Sequence, residues 1–188
     1  MSGIVGSKLN IRGSGLVGSL GTDGQHLLSA GAGKTNVFET VAAGGDNTPA
    51  FFAYRASTVF AVPTGAYTTV VFNAELYDSD GDYNTSTGEF TCSSTGKYFL
   101  GATIGKSVAT ATTRFVLSIQ EDGSHFIFSE TYANDTDGFP NITAIGTRIL
   151  TSGRVYTAKA FHYTGADMDL TYSSGEGTTF FAFKLIGL

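Results

Sequence analysis

The sequence predicts an all-β sandwich or barrel preceded by a Gly-rich segment, and three observations carry that expectation. Twenty-five Gly, 15 Phe and 9 Tyr against only 3 Pro favour strands and tight turns over helices. From Pro49 onward, short apolar runs are separated by clusters of Gly, Asp, Asn and Ser, with no credible helix between them. Before that point small apolar residues are dotted among glycines at no lasting spacing. The 188 residues therefore divide into an arm over 1–45 and one head domain of roughly 140 residues over 46–188.

Composition excludes several classes of function. The net charge is −5, and the 11 Lys and Arg are scattered, whereas phosphate neutralisation needs them clustered, so nucleic acid is not a partner. Charged residues make up 14% of the chain, below the roughly 25% of ordinary soluble domains, so either something other than charge keeps it soluble or much of its surface is covered. Cys92 is the only cysteine, which leaves the fold to packing alone and fits synthesis in a reducing cytoplasm. No run reaches 18 apolar residues and the first residues lack a signal-peptide pattern, so neither a membrane span nor a cleaved leader is expected.

Taken in order, the arm comes first. Nine of the first 33 residues are Gly, and a free chain of this kind loses more entropy on ordering than its apolar groups return. Ile4, Val5, Leu9, Ile11, Leu16, Val17 and Leu20 favour an extended attachment arm laid on another surface over a flexible linker. Gly31-Ala32-Gly33-Lys34-Thr35 ends like a phosphate-binding loop, but Leu28 stands where the first Gly is required.

In the head, strands are expected over 67–73, 97–104, 114–120, 124–131, 154–163 and 178–186. Phe115, Leu117 and Ile119 share one face, and Glu121-Asp122-Gly123 then supplies a hairpin turn. Two strands are apolar on both faces, one containing Tyr98 and Leu100, the other Phe180, Phe181, Phe183 and Leu185. In a two-sheet sandwich one face of such strands meets the opposite sheet, and a partner subunit is the economical cover for the other.

Candidate chemistry is sparse. Asp78, Asp80 and Asp82 sit at alternate positions, a spacing that can fold around a hard cation such as calcium, but a solvated turn is the simpler reading and the metal only a weak candidate. His26, His125 and His162 have no carboxylate at local spacing to orient an imidazole. Cys92 alternates with Phe90 and reads as a small buried apolar group. Residues 132–141 form a loop that could read a ligand. No acid, base and nucleophile assemble, so an enzyme is not expected and no cofactor is implied.

Five stretches resemble the globular head domain of the complement recognition protein, a jelly roll similar to the tumour necrosis factor fold. Pro49-Ala50-Phe51-Phe52-Ala53-Tyr54-Arg55 resembles its first strand, and Val70-Val71-Phe72-Asn73 the next apolar strand. Residues 83–92 resemble the signature Tyr-Asp-x-x-Thr-Gly-x-Phe-Thr-Cys, followed by Gly96-Lys97-Tyr98-Phe99-Leu100. Residues 179–185 resemble the last strand, with Ala182 where the family has Gly and Lys184 interrupting the apolar ending. The resemblance implies a jelly-roll β-sandwich of about eight to ten strands and a homotrimer. Some relatives bind calcium near the top of the trimer, which keeps the three Asp residues as candidates.

The arm resembles something else. Residues 18–33, with Gly18-Ser19-Leu20-Gly21-Thr22 and Gly24-Gln25-His26-Leu27, are similar to a Leu-Gly-Thr-x-Gly-Gln-x-Leu motif of bacteriophage fibre and other virion structural proteins. Together the two resemblances imply a bacteriophage protein on the virion surface. The expected role is a capsid decoration, or cement, protein whose arms lie on the major capsid protein. The alternative is a tail-fibre or head-fibre adhesin that binds host-surface carbohydrate.

Overall fold

The computed structural model describes residues 10–11, 15–16, 22, 25–28, 37–40, 47–56, 60–105, 114–132, 141–170 and 177–185. The chain divides into two compact units, Met1–Gly45 and Asp46–Leu188.

The first unit contains β1 (Asn10–Ile11), β2 (Gly15–Leu16), β3 (Gln25–Leu28) and β4 (Val37–Thr40). β1 pairs with β2 and β3 with β4, both antiparallel, so the described part of this segment forms two short local ladders. Local pairing gives their amides and carbonyls partners within the chain. Of the expected attachment residues, Ile11 lies on β1 and Leu16 on β2. Ile4, Val5, Leu9, Val17 and Leu20 lie outside the described residues, as does the 31–35 sequence.

The second unit is built from β5 (Ala50–Tyr54), β6 (Phe60–Val62), β7 (Thr68–Thr69), β8 (Ala74–Asp78), β9 (Tyr83–Asn84), β10 (Glu89–Thr91) and β11 (Gly96–Gly105). It continues with β12 (Phe115–Glu121), β13 (Ser124–Thr131), β14 (Asn141–Leu150), β15 (Val155–His162), β16 (Met168–Leu170) and β17 (Thr179–Lys184). One sheet has the order β14-β11-β17-β5-β8. The other runs β13-β12-β15-β10-β9, with β7 also on β15, and β16 pairs with β6 apart from both. The chain crosses between sheets after β11 and again before β14, as a jelly roll requires. Every described element is a strand.

The core lies between the two sheets and is aromatic at its centre. Phe51 meets Phe90 at 4.7 Å, Tyr83 at 5.0 Å and Phe180 at 5.1 Å between ring centroids. All four rings are buried, and burying each Phe contributes about 1.5–3 kcal/mol. Tyr83 brings a hydroxyl into this environment, which both donates to the Phe72 carbonyl and accepts from the Phe72 amide, each at 3.1 Å.

The signature over 83–92 is a hairpin whose residues each have a task. Tyr83 and Phe90 sit opposite each other and point inward. Asn84 Oδ1 accepts from the amides of Ser86 at 2.9 Å and Thr87 at 3.3 Å, which fixes the turn. Gly88 has φ +77°, and a Cβ there would stand 2.8 Å from the Val70 carbonyl oxygen, so only glycine fits. The β12–β13 turn has positive φ at both Asp122 (45°) and Gly123 (86°), the geometry that an Asp-Gly hairpin favours.

Two segments differ from expectation. Residues 67–73 give only the short β7, because their remaining backbone groups are taken elsewhere. The Val70 amide bonds Ala158 O, and the Arg55 guanidinium donates to Val71 O at 2.6 Å. β14 is a ten-residue strand where no strand was expected. Its inward Ile142 and Ala144 alternate properly, but exposed Ile145 and Ile149 obscure the period.

Candidate binding faces

A sandwich has two outer faces, and here they differ in chemistry. On the five-stranded sheet, Phe99 of β11 lies opposite Phe183 of β17, and Gly101 opposite Phe181. Phe181 in turn faces Phe52 of β5, which faces Tyr77 of β8. Period-two alternation therefore gathers Phe52, Tyr77, Phe99, Phe181 and Phe183 on the face turned away from the core. Their rings form a continuous contact: Phe181 lies 5.4 Å from Phe183, 5.6 Å from Phe99 and 6.1 Å from Phe52, and Tyr77 lies 6.1 Å from Phe183.

Gly101 makes the close approach feasible. A Cβ at this position would stand 2.9 Å from Phe181 Cζ and 3.0 Å from Ile145 Cγ1. Ile145 and Ile149 extend the apolar patch along β14, exposed at 50% and 71%, beside Phe99 at 38%. Partial burial on this face also raises the Tyr77 phenol above its ordinary range.

The residues expected at a subunit interface divide between the two sides of this sheet. Tyr98, Leu100 and Phe180 are fully buried in the domain's own core, so they cannot meet a partner. The reason is parity: each neighbours an outward residue, and the pleat sends it inward. Tyr98 also anchors its hydroxyl by donating to Ser94 O at 2.8 Å. Phe181 and Phe183 are outward and half-buried, and Leu185 is half-buried just beyond β17. Phe52, Tyr77, Phe99 and Ile145 complete the outer face, and were missed because they lie on strands that supply only one or two large apolar groups to it. Lys184 turns its ammonium to Ser94 Oγ at 2.6 Å.

The six-stranded sheet presents a mixed surface. Val116, Ser118 and Gln120 of β12 point away from the core yet are buried. Beside them on the same sheet, Tyr67 stacks on Phe161 at 4.8 Å and meets His125 at 5.0 Å. Phe161 also meets Tyr163 at 4.8 Å, His125 meets Phe128 at 5.9 Å, and Arg114 lies over Phe161 while pairing with Glu130 at 2.8 Å. Next to this cluster, Thr69, Glu89, Asp122, Gly123, Val155, Thr157 and Lys159 line a groove of about 300 Å³ that mixes polar and apolar groups.

Asp78, Asp80 and Asp82 are each engaged by neighbouring groups of the loop. Asp78 is occupied as a turn cap, its carboxylate accepting from the amides of Asp80, Gly81 and Tyr83. Asp80 accepts from Ser79 and Asp82 from Ser93, and burial pushes the Asp82 carboxyl upward. Among the described residues no group of three His, Cys, Asp or Glu is placed to hold a metal ion.

His162 and Cys92 are buried, while His26 and His125 are exposed. His162 is buried, with Nε2 2.7 Å from Val62 O. His125 Nδ1 is 2.7 Å from Ser118 Oγ, but among the described residues no carboxylate hydrogen-bonds this imidazole, and Ser118 is fully buried. Cys92 is buried against the Tyr98 hydroxyl. The loop over 133–140 lies outside the described residues.

Two sheets in jelly-roll order, a Tyr-Gly-Phe-Cys hairpin at their centre and an aromatic outer face define a head-domain class of β-sandwich. The C1q domain family matches residues 50–147, more than half of the chain, and the chain belongs to that family. Its fold is similar to that of murine APRIL at pH 5.0, with a TM-score of 0.57 and 15% identity, covering 72% of this chain and 98% of that one. It is similar also to the Eiger TNF of S. frugiperda, with a TM-score of 0.57 and 12% identity, covering 72% of this chain and 91% of that one. No curated protein sequence matches the chain.

Proposed function

We propose that this chain is a non-enzymatic, homotrimeric virion decoration protein, with its C1q-like head projecting outward and residues 1–45 attaching it to a capsid or other virion component. The observation that carries the trimer is the aromatic outer face of the five-stranded sheet. A joined surface of Phe52, Tyr77, Phe99, Phe181 and Phe183 bordered by exposed isoleucines is costly to leave in water, and three copies sharing it around one axis remove it. The virion setting is supported by the resemblance of residues 18–33 to bacteriophage fibre and virion proteins. Three attachment segments on one trimer multiply a weak contact by effective concentration.

Sedimentation velocity of the full chain tests the first part: a single trimeric species is expected, and a stable monomer in dilute buffer would sink the reading. Deletion of residues 1–40 tests the second. The shortened chain is expected to remain a folded trimer and to stop co-sedimenting with particles, whereas loss of folding would reject the division of labour.

A second reading, an adhesin for carbohydrate, is favoured by the opposite outer face, where a groove that mixes polar and apolar groups lies beside stacked aromatic rings. A cryo-EM reconstruction of particles separates the two, since decoration places many copies over the capsid and an adhesin a few at a fibre tip.

A further inference from the structure

We propose that the outer face of the six-stranded sheet holds a saccharide site, in which Tyr67 stacks on the apolar face of a pyranose ring while the groove lined by Thr69, Glu89, Asp122, Thr157 and Lys159 binds its hydroxyls. The site names the ligand surface of the adhesin reading and rests on that reading.

Register places the two halves together. Lys159 of β15 is opposite Thr69 of β7, and Thr157 is opposite Glu89 of β10, so these four side chains share the outward face. Phe161 follows Lys159 by two residues on the same face, roughly 7 Å along the strand. Tyr67, two residues before Thr69, stacks on Phe161 at 4.8 Å with an interplanar angle of 29°. The Tyr67–Phe161 pair thus lies next along β15 to Lys159, which lines a groove of about 300 Å³.

The groove's chemistry selects a neutral, hydroxyl-rich ligand. Glu89 and Lys159 carry opposite charges, and Asp122 is neutralised by Arg154. No single sign dominates, which disfavours phosphate groups and acidic membranes. Lys159 is half-buried and has no ion-pair partner among the described residues. Glu89 accepts from Thr87 Oγ1 at 3.0 Å, which holds its carboxylate in place. An ammonium, two threonine hydroxyls and a fixed carboxylate supply both donors and acceptors, as a vicinal diol needs. The aromatic ring supplies the contact that water cannot. This face is also the one left open when the opposite sheet faces the trimer axis.

Saturation-transfer-difference NMR on the full chain provides the test, using the methyl α-glycosides of glucose, mannose, galactose and N-acetylglucosamine, with inorganic phosphate as a comparison. At least one glycoside is expected to receive saturation, strongest at the protons of its apolar face. Affinity is expected to fall roughly tenfold in Tyr67→Ala and in Glu89→Gln. The Glu89 side chain is exposed, so the second variant carries the test if the first does not fold. Silence from all four glycosides, undiminished transfer in the folded variants, or displacement by phosphate would overturn the site. Particle attachment is measured separately: attachment without saccharide binding removes this site and leaves the decoration reading. Saccharide binding without attachment keeps the site and removes the virion platform.

Discussion

The two outer faces of this sandwich rest on one shared core but answer water in opposite ways. The five-stranded sheet turns out Phe52, Phe99, Phe181 and Phe183 with few charges among them, and their rings pack against one another. The six-stranded sheet turns out Lys159, Thr157, Glu89 and Thr69, and confines its aromatic groups to one end. A face dominated by aromatic rings gains most from a second protein surface, while a face that mixes rings with hydroxyls and balanced charge gains from a small polar ligand. The proposed assembly and the proposed saccharide site thus fall on separate sheets of one domain.

The largest effects come from neighbouring residues that separate core from outer face. Phe180→Ala empties a buried ring position in contact with Phe51, Phe72 and Tyr83, and is expected to cost about 3–5 kcal/mol of folding stability by denaturant titration. Phe181→Asp, one residue on, is expected to leave the far-ultraviolet spectrum of a β-fold intact. It should weaken association by about 2–4 kcal/mol per interface, read by sedimentation equilibrium at several concentrations. If Phe181→Asp unfolds the chain and Phe180→Ala only dissociates it, the assignment of faces is inverted.

The smallest expected effect sharpens the contrast by pH. Burial raises the phenols of Tyr83, Tyr98 and Tyr156 far above the ordinary value of 10.0. A folded chain then keeps protons that the unfolded chain releases, so these groups leave stability unchanged below about pH 10 and reduce it as pH climbs further. A spectrophotometric titration with circular dichroism in parallel should show the three core phenols ionising only as the β-spectrum is lost. Ionisation of Tyr83, Tyr98 and Tyr156 with the β-spectrum preserved would contradict the burial of the core.

The strand pattern was readable where alternation was clean. Phe115, Leu117 and Ile119 gave β12, and the Asp-Gly turn after it follows from φ values that favour those residues. It failed over 67–73, where Arg55 and Tyr83 satisfy the backbone from a distance, and over β14, whose exposed isoleucines mask the period. The aromatic face was half legible: Phe181 and Phe183 stand together in one strand, but Phe52, Tyr77 and Phe99 join them only through pairing of β17 with β5 and β11.

By itself the sequence settled that this chain is β-structured, carries a Gly-rich first segment, and turns tightly at Asp122-Gly123, because turn chemistry and side-chain period act over a few residues. Which of Tyr98, Leu100, Phe180 and Phe181 face inward was decided by the tertiary structure. In a strand that is apolar on both sides, parity is set by the sheet it packs against. The groove beside Tyr67 likewise came from register alone, since its lining residues lie on strands far apart in the chain and meet only across β15.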